Sequence, residues 1–275
     1  MAAVEAFFLG AGAARRFAVC WRPSASVAPR GTLLFVPPFA EEMNKSRRMV
    51  ALTANALADR GFVTLRVDLA GCGDSAGLLS QASWNGWLDD LSIGWGWLRA
   101  RVTGTPWLWS LRAGSLLSSS LLTRLDAVPP LLLWQPVLSG KQHLTQFLRL
   151  RVAADAFAIV AASARATTQG LMQSLAAGDA VGVAGYALPP SIALPLAASE
   201  FVAPTTPTDV LWFEVDASQT PAISPGSATR IAQWQTAGPR VVARAVGGPP
   251  FWATQEIEDC PALLDATLEA LCPPN

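Results

Sequence analysis

Residues 107–117 read WLWSLRAGSLL, an apolar strand that breaks at small residues into a helix of leucines and serines. A strand-to-helix turn of this outline, in the form G-x-S-x-G, lifts a serine nucleophile above a sheet with a helix N-terminus behind it. Here Ser110 stands at the first glycine position, Gly114 at the last, and Arg112 where the serine would be. A guanidinium stays charged at neutral pH and is no nucleophile, but its planar fork of donors suits carboxylates and other anions. A cation at a helix N-terminus is electrostatically unfavourable. Arg112 therefore calls for a nearby carboxylate, from Glu41, Glu42 or Glu256, or for a bound anion.

Nucleophilic catalysis at such a turn also needs an acid and then a base further along the chain. The sequence holds one histidine, His143, after the sixth expected strand instead of the eighth. Where the base belongs, residues 247–252 read GGPPFW. Glu214 and Asp216 lie near the usual acid position and, with no base to orient, read as solvated turn carboxylates. Ser115 is either a displaced nucleophile or a small packing residue, and a shifted alignment would put Ser110 or Ser115 at the apex. Cys72 has no histidine in sequence reach, and the GCG around it fits a turn with positive φ better than a phosphate cradle.

The segment PPFAEEMNKSRRM, residues 37–49, is the other concentration of polar chemistry. Glu41 or Glu42 could serve as base for a water while Arg112 stabilises the developing oxyanion; alternatively, one of them only pins this loop to the sheet by an ion pair. Asn44 and Lys45 either point into a pocket and hold an anionic or carbonyl group, or form an exposed first helical turn with Ser46 as N-cap. Arg47 and Arg48 read as exposed. Gln135, Lys141, Gln146, Arg149 and Arg151 supply a polar wall, and Trp252 with Phe251 an apolar one. His143 is the only imidazole available for proton transfer.

The elements that must position these groups alternate along the chain. Strands are expected at 6–9, 17–21, 32–36, 62–67, 107–109, 131–134, 210–215 and 241–246, with helices from about 46, at 84–101, after the turn at 112, at 227–236 and at 262–271. The first two strands form an antiparallel hairpin, and the rest alternate with helices as in a mostly parallel sheet covered on both faces. Between 140 and 207 the pattern changes to helical sequence, 144–151 and 155–177, and a proline- and glycine-rich stretch with no clear strand. We expect one α/β domain spanning 1–275, with 140–207 as a helical lid insertion. Eight strands, such an insertion and a terminal helix make up an α/β-hydrolase layout.

Composition narrows the class of partner. The 275 residues carry 20 Lys+Arg and 20 Asp+Glu, so no basic excess exists to neutralise phosphates, and no nucleic acid is expected. The apolar stretch before Glu200 contains Pro189, Pro190 and Pro195 and makes no membrane span. Four well-separated cysteines fit neither a zinc site nor a dense disulfide scaffold; reduced thiols in a cytoplasm are expected, and no metal or cofactor. A small acyl or anionic ligand fits the polar groups best, and no protein partner can be named.

Five segments together carry a resemblance: PPFAEEMNKSRRM at 37–49, DLAGCGDSAG at 68–77, SLRAG at 110–114, WQPVLSGKQHLTQFLRLR at 134–151 and GGPPFWATQEI at 247–257. They resemble the exosortase A system-associated hydrolase 2 family, found in bacteria that carry the exosortase and PEP-CTERM sorting system beside exopolysaccharide genes. The resemblance implies the α/β-hydrolase fold, a hydrolase label and that genomic neighbourhood, and little about substrate; the unconventional set of Glu41 or Glu42 with Arg112 would suit an ester, thioester or amide. The missing serine and histidine leave open a pseudoenzyme that binds a small anionic ligand or a pathway partner.

Overall fold

In the computed structural model, residues 2–102, 104–157 and 165–273 are described. The chain runs β1 (Ala3–Leu9), β2 (Arg16–Arg22), β3 (Gly31–Val36), α1 (Glu41–Ala58), β4 (Phe62–Val67), α2 (Trp84–Arg99), β5 (Trp107–Leu111), α3 (Gly114–Leu122) and β6 (Leu131–Trp134). It continues through α4 (Gly140–Phe157), α5 (Thr168–Ala177), β7 (Val181–Val183), β8 (Tyr186–Leu188), α6 (Pro190–Ala198), β9 (Asp209–Asp216), α7 (Pro225–Ala237), β10 (Arg240–Gly247) and α8 (Pro261–Leu271). Eight strands form one sheet in the order β1-β2-β4-β3-β5-β6-β9-β10. The β1–β2 and β2–β4 pairings are antiparallel and all the others parallel.

The central strands are apolar almost without interruption because helices cover both faces of a parallel sheet. In β3, Leu33 and Phe35 face one core with Trp109, Trp134, Leu57 and Leu263, while Leu34 and Val36 face the other with Leu91, Leu116 and Trp212. The edge strand β1 shows the contrast, with Val4 and Phe8 exposed. β3 stops at Pro37, which has no ladder donor.

Three expectations need correction. α1 begins at Glu41, a turn and a half before the expected start, because the chain breaks sharply at Ala40 (φ 52°) and two carboxylates occupy the first turn, where they favour the helix dipole. Ser46 is consequently no N-cap; it is buried within α1, and its hydroxyl donates to the Met43 carbonyl. The 140–207 segment does contain strands: β7 and β8 pair antiparallel through a turn at Ala184 (φ 49°) and Gly185 (φ 85°). Three-residue strands are too short to show alternation, and the two positive φ values are those of a tight hairpin turn. The helix expected over 155–177 is interrupted: residues 165–167 are not helical, and α5 starts at Thr168, capped by the Thr167 side chain. Residues 158–164 of that expectation lie outside the described residues.

Gly114 fixes how closely α3 approaches β3. A Cβ there would lie 2.4 Å from the Val36 carbonyl oxygen and 2.9 Å from that of Pro37, so the helix would have to move. Gly114→Ala should lower stability by about 1–3 kcal/mol, the usual range for overpacking. An unchanged urea midpoint would show that the approach is not tight.

Candidate functional site

Arg112 tops the turn between β5 and α3, and neither serine does. Its backbone is left-handed (φ 52°), a conformation that costs a non-glycine residue of order 1–3 kcal/mol. Three hydrogen bonds hold it there: its N–H donates to the Trp134 carbonyl (3.0 Å), and its carbonyl accepts from the N–H groups of Ser115 (3.0 Å) and Val137 (3.3 Å). Ser115 belongs to this brace. Its fully buried hydroxyl lies 2.8 Å from the Arg112 carbonyl oxygen and 3.0 Å from that of Val137, and it accepts from the Val137 N–H (3.1 Å). Ser110 is buried within β5.

Above the turn lies a cavity of about 280 Å³. On one side the Arg112 Nε donates to Glu42 Oε1 at 3.0 Å, each side chain about one-fifth exposed. Glu42 Oε2 is buried with no hydrogen-bond partner among the described residues. Burial pushes the Glu42 carboxyl above its usual range, and the guanidinium draws it back only in part. The Nη groups of Arg112 have no partner among the described residues, and the guanidinium carbon sits 5.5 Å from the Trp252 ring centre. Trp252 is held by Phe251, which is fully buried edge-on to Trp134 (6.2 Å), itself edge-on to Trp109 (4.7 Å).

The opposite wall is one face of α4, where His143, Gln146, Phe147 and Leu150 recur at helical spacing. Phe39 packs edge-on against Phe147 (4.8 Å) and His143 (6.4 Å). His143 is buried and its Nδ1 has no partner among the described residues. Burial, and next the charge of Arg112, push its pKa down to about 3, so the imidazole is neutral. Lys45 sits at the rim, where its ammonium bonds the Thr254 carbonyl, lies 3.4 Å from that of Gln255, and is 3.5 Å from Glu41.

The cavity thus gathers Glu41, Glu42, Lys45, Arg112, His143, Gln146 and Trp252 from the residues expected from sequence, whereas Lys141, Arg149 and Arg151 do not line it. Asn44 faces an adjoining groove, where its amide donates to the Tyr186 hydroxyl at 2.9 Å. Gln135 (φ 45°) lines a separate polar cleft; its side-chain oxygen accepts from the Val215 N–H at 2.7 Å. Glu214 is not a solvated turn carboxylate but a buried one, accepting from the Ser224 N–H (2.8 Å) and the Trp212 indole (3.2 Å). Asp216 caps the following turn through Ser218 and Ala222, and these bonds hold its pKa down. Burial pushes the Cys72 thiol up to about 12, and it lies outside the cavity. Arg47 pairs with Asp68 and Arg48 with Asp259. The apolar wall of Phe39, Phe147 and Leu150 was not singled out from the sequence, although the spacing of His143, Phe147 and Leu150 carried the signal.

No family model matches the sequence, and no curated protein does. Solved structures do match over nearly the whole chain. An α/β serine hydrolase without a lid from Xanthomonas campestris is 18% identical with a TM-score of 0.54, covering 99% of this chain and 96% of its own. Est1E from Butyrivibrio proteoclasticus is 13% identical with a TM-score of 0.60, covering 97% and 95%. The chain has the α/β-hydrolase fold. Within that fold Arg112 occupies the apex of the nucleophile turn, and among the described residues no hydroxyl or thiol side chain lines the cavity. No helix of the described residues is long and apolar enough to cross a membrane.

The neutral state of His143 can be read directly, because it is the only histidine. A histidine held neutral in the fold takes its proton only on unfolding, so stability is complete above the free value of 6.5 and falls as pH drops toward about 3. The imidazole nitrogen resonances should stay those of the neutral ring down to pH of about 4. Titration near the free value would contradict this burial.

Proposed function

We propose that this protein binds a small ligand with an apolar acyl or aryl body and a carboxylate or similar anionic group, and that it does so without a covalent step. The carrying observation is Arg112 at the apex, with its Nε engaged by Glu42 and its remaining donors unpartnered beside an apolar cavity. A planar guanidinium in that position suits bidentate recognition of a carboxylate, and Phe39, Phe147, Leu150 and Trp252 suit the ligand's body. Lys45 and Glu41 form the rim, with Asn44 in the adjoining groove. Neutral His143 supplies a polar contact in the cavity, and the amide of Gln135 supplies one from the neighbouring cleft. The chain acts as one domain of residues 1–275, with 140–207 as a lid, a role supported by the face of α4 in the cavity wall. Four unpaired cysteines support a reducing cytoplasm. The five resembling segments support a role beside the exosortase and exopolysaccharide system.

A second reading keeps turnover, and the free, buried Oε2 of Glu42 favours it. A carboxylate whose pKa is raised by burial can act as general base for a water, with Arg112 stabilising the oxyanion of an ester, thioester or amide.

Calorimetric titration with octanoate, beside turnover of p-nitrophenyl octanoate, separates the two. Octanoate should bind, and Arg112→Met should weaken it about ten- to a hundred-fold, since a charge-assisted hydrogen bond contributes about 1.5–3 kcal/mol. Ester turnover above background that is abolished in a folded Glu42→Gln variant would replace the first reading by the second. No octanoate binding and no turnover would reject both.

A further inference from the structure

Behind Arg112, on the side away from α1, a second cleft of about 210 Å³ lies between the C-terminal ends of β6 and β9 and the starts of α4 and α7. It shares Arg112, His143 and Gln146 with the apolar cavity, yet its lining has the opposite character, dominated by amides, hydroxyls and a carboxylate. We propose that this cleft is a second ligand subsite, which takes an uncharged, hydroxyl-rich group such as a polyol or sugar ring. As part of one ligand with the apolar body, it rests on the binding reading above.

Charge selects the class. The Glu214 carboxylate is buried in the wall and already accepts from Ser224 and Trp212, so it repels a second anion. Arg112 on the facing wall repels a cation, and His143 carries no charge. The groups left free are neutral. Ser227 is 3% exposed, and its hydroxyl has no hydrogen bond among the described residues. The amides of Gln142 and Gln146, on exposed residues at the mouth of the cleft, have no partner among the described residues, and Gln135 keeps its amide donors while its oxygen is engaged by Val215. Amides and hydroxyls both donate and accept. A hydroxyl-bearing ligand group does the same, so each contact can be satisfied without burying a charge. The buried, unpartnered Nδ1 of His143, on the wall shared by both cavities, is a further polar atom with nothing to satisfy it.

The test uses three probes below micelle-forming concentrations, titrated calorimetrically into the full chain: octanoate, octyl β-D-glucoside and octyl β-D-glucuronide. The glucoside should bind, and the glucuronide should bind at least about tenfold more tightly than octanoate, as one further charge-assisted or two neutral hydrogen bonds would give. Gln142 and Ser227 line only the polar cleft, so the folded double variant Gln142→Leu, Ser227→Ala should lose the sugar-dependent gain and leave octanoate unaffected. A glucoside that does not bind, or a gain that survives the double variant, overturns the proposal whatever octanoate does. Octanoate failing while the glucoside binds and responds to the double variant upholds the polar subsite and rejects the anion reading of Arg112.

Discussion

The site depends on one ion pair, between Arg112 at a strained turn and Glu42 in the first turn of α1. Each partner alone would be a problem. The guanidinium stands at the N-terminus of α3, where the helix dipole opposes a cation, and burial pushes the Glu42 carboxyl above its usual range. At 3.0 Å each charge compensates the environment of the other. The pair also joins two strand-to-helix connections, β3–α1 and β5–α3, over the central strands. Removing one partner of such a pair leaves the other desolvated and alone, and that asymmetry makes partly buried pairs costly to break even when their net contribution is small.

The turn itself does not depend on which side chain it lifts. Its geometry comes from the close approach of Gly114 to β3, from the Ser115 hydroxyl bridging the Arg112 and Val137 backbones, and from the Arg112 N–H on Trp134. All three contacts involve backbone or a small buried residue, so the fold can keep the elbow while the apex changes from a nucleophile to a cation. The loop after β10 is likewise fixed by a buried anchor. Phe251 sinks into the core beside Trp134, and this anchor turns Trp252 toward the guanidinium. An aromatic face there suits a cation and offers no proton acceptor.

The sheet was legible in the sequence because the central strands are largely apolar runs, β3 stopping at Pro37, and they alternate with helical sequence of apolar periodicity. Arg112 was legible because a charged residue inside a small-residue turn contradicts its surroundings, and that contradiction also pointed to a carboxylate from the segment after β3. Glu214 was misjudged because solvation was inferred from its place near a strand end, whereas its burial depends on α7 folding back so that the Ser224 N–H reaches it. The β7–β8 hairpin and the true start of α1 were missed for a similar reason. Both depend on backbone turns at alanines, Ala184 and Ala40, whose positive φ no residue-type signal announces.

The electrostatics of the cavity bear on how it could accept an anion at all. Lys45 is held by two carbonyls and Glu41, His143 is neutral, and the Arg112 charge is offset by Glu42. An entering carboxylate would therefore share one guanidinium with a carboxylate already present, and two such groups in a dry site do not both stay ionised. Glu42 is the group prepared to yield, since burial already raises its pKa and its Oε2 is unpartnered. Taking up a proton there would turn that oxygen from acceptor to donor and leave the charge of Arg112 to the ligand. An anion bound as proposed would therefore share Arg112 with Glu42, so the ion pair that braces the turn is also the one the ligand would draw on.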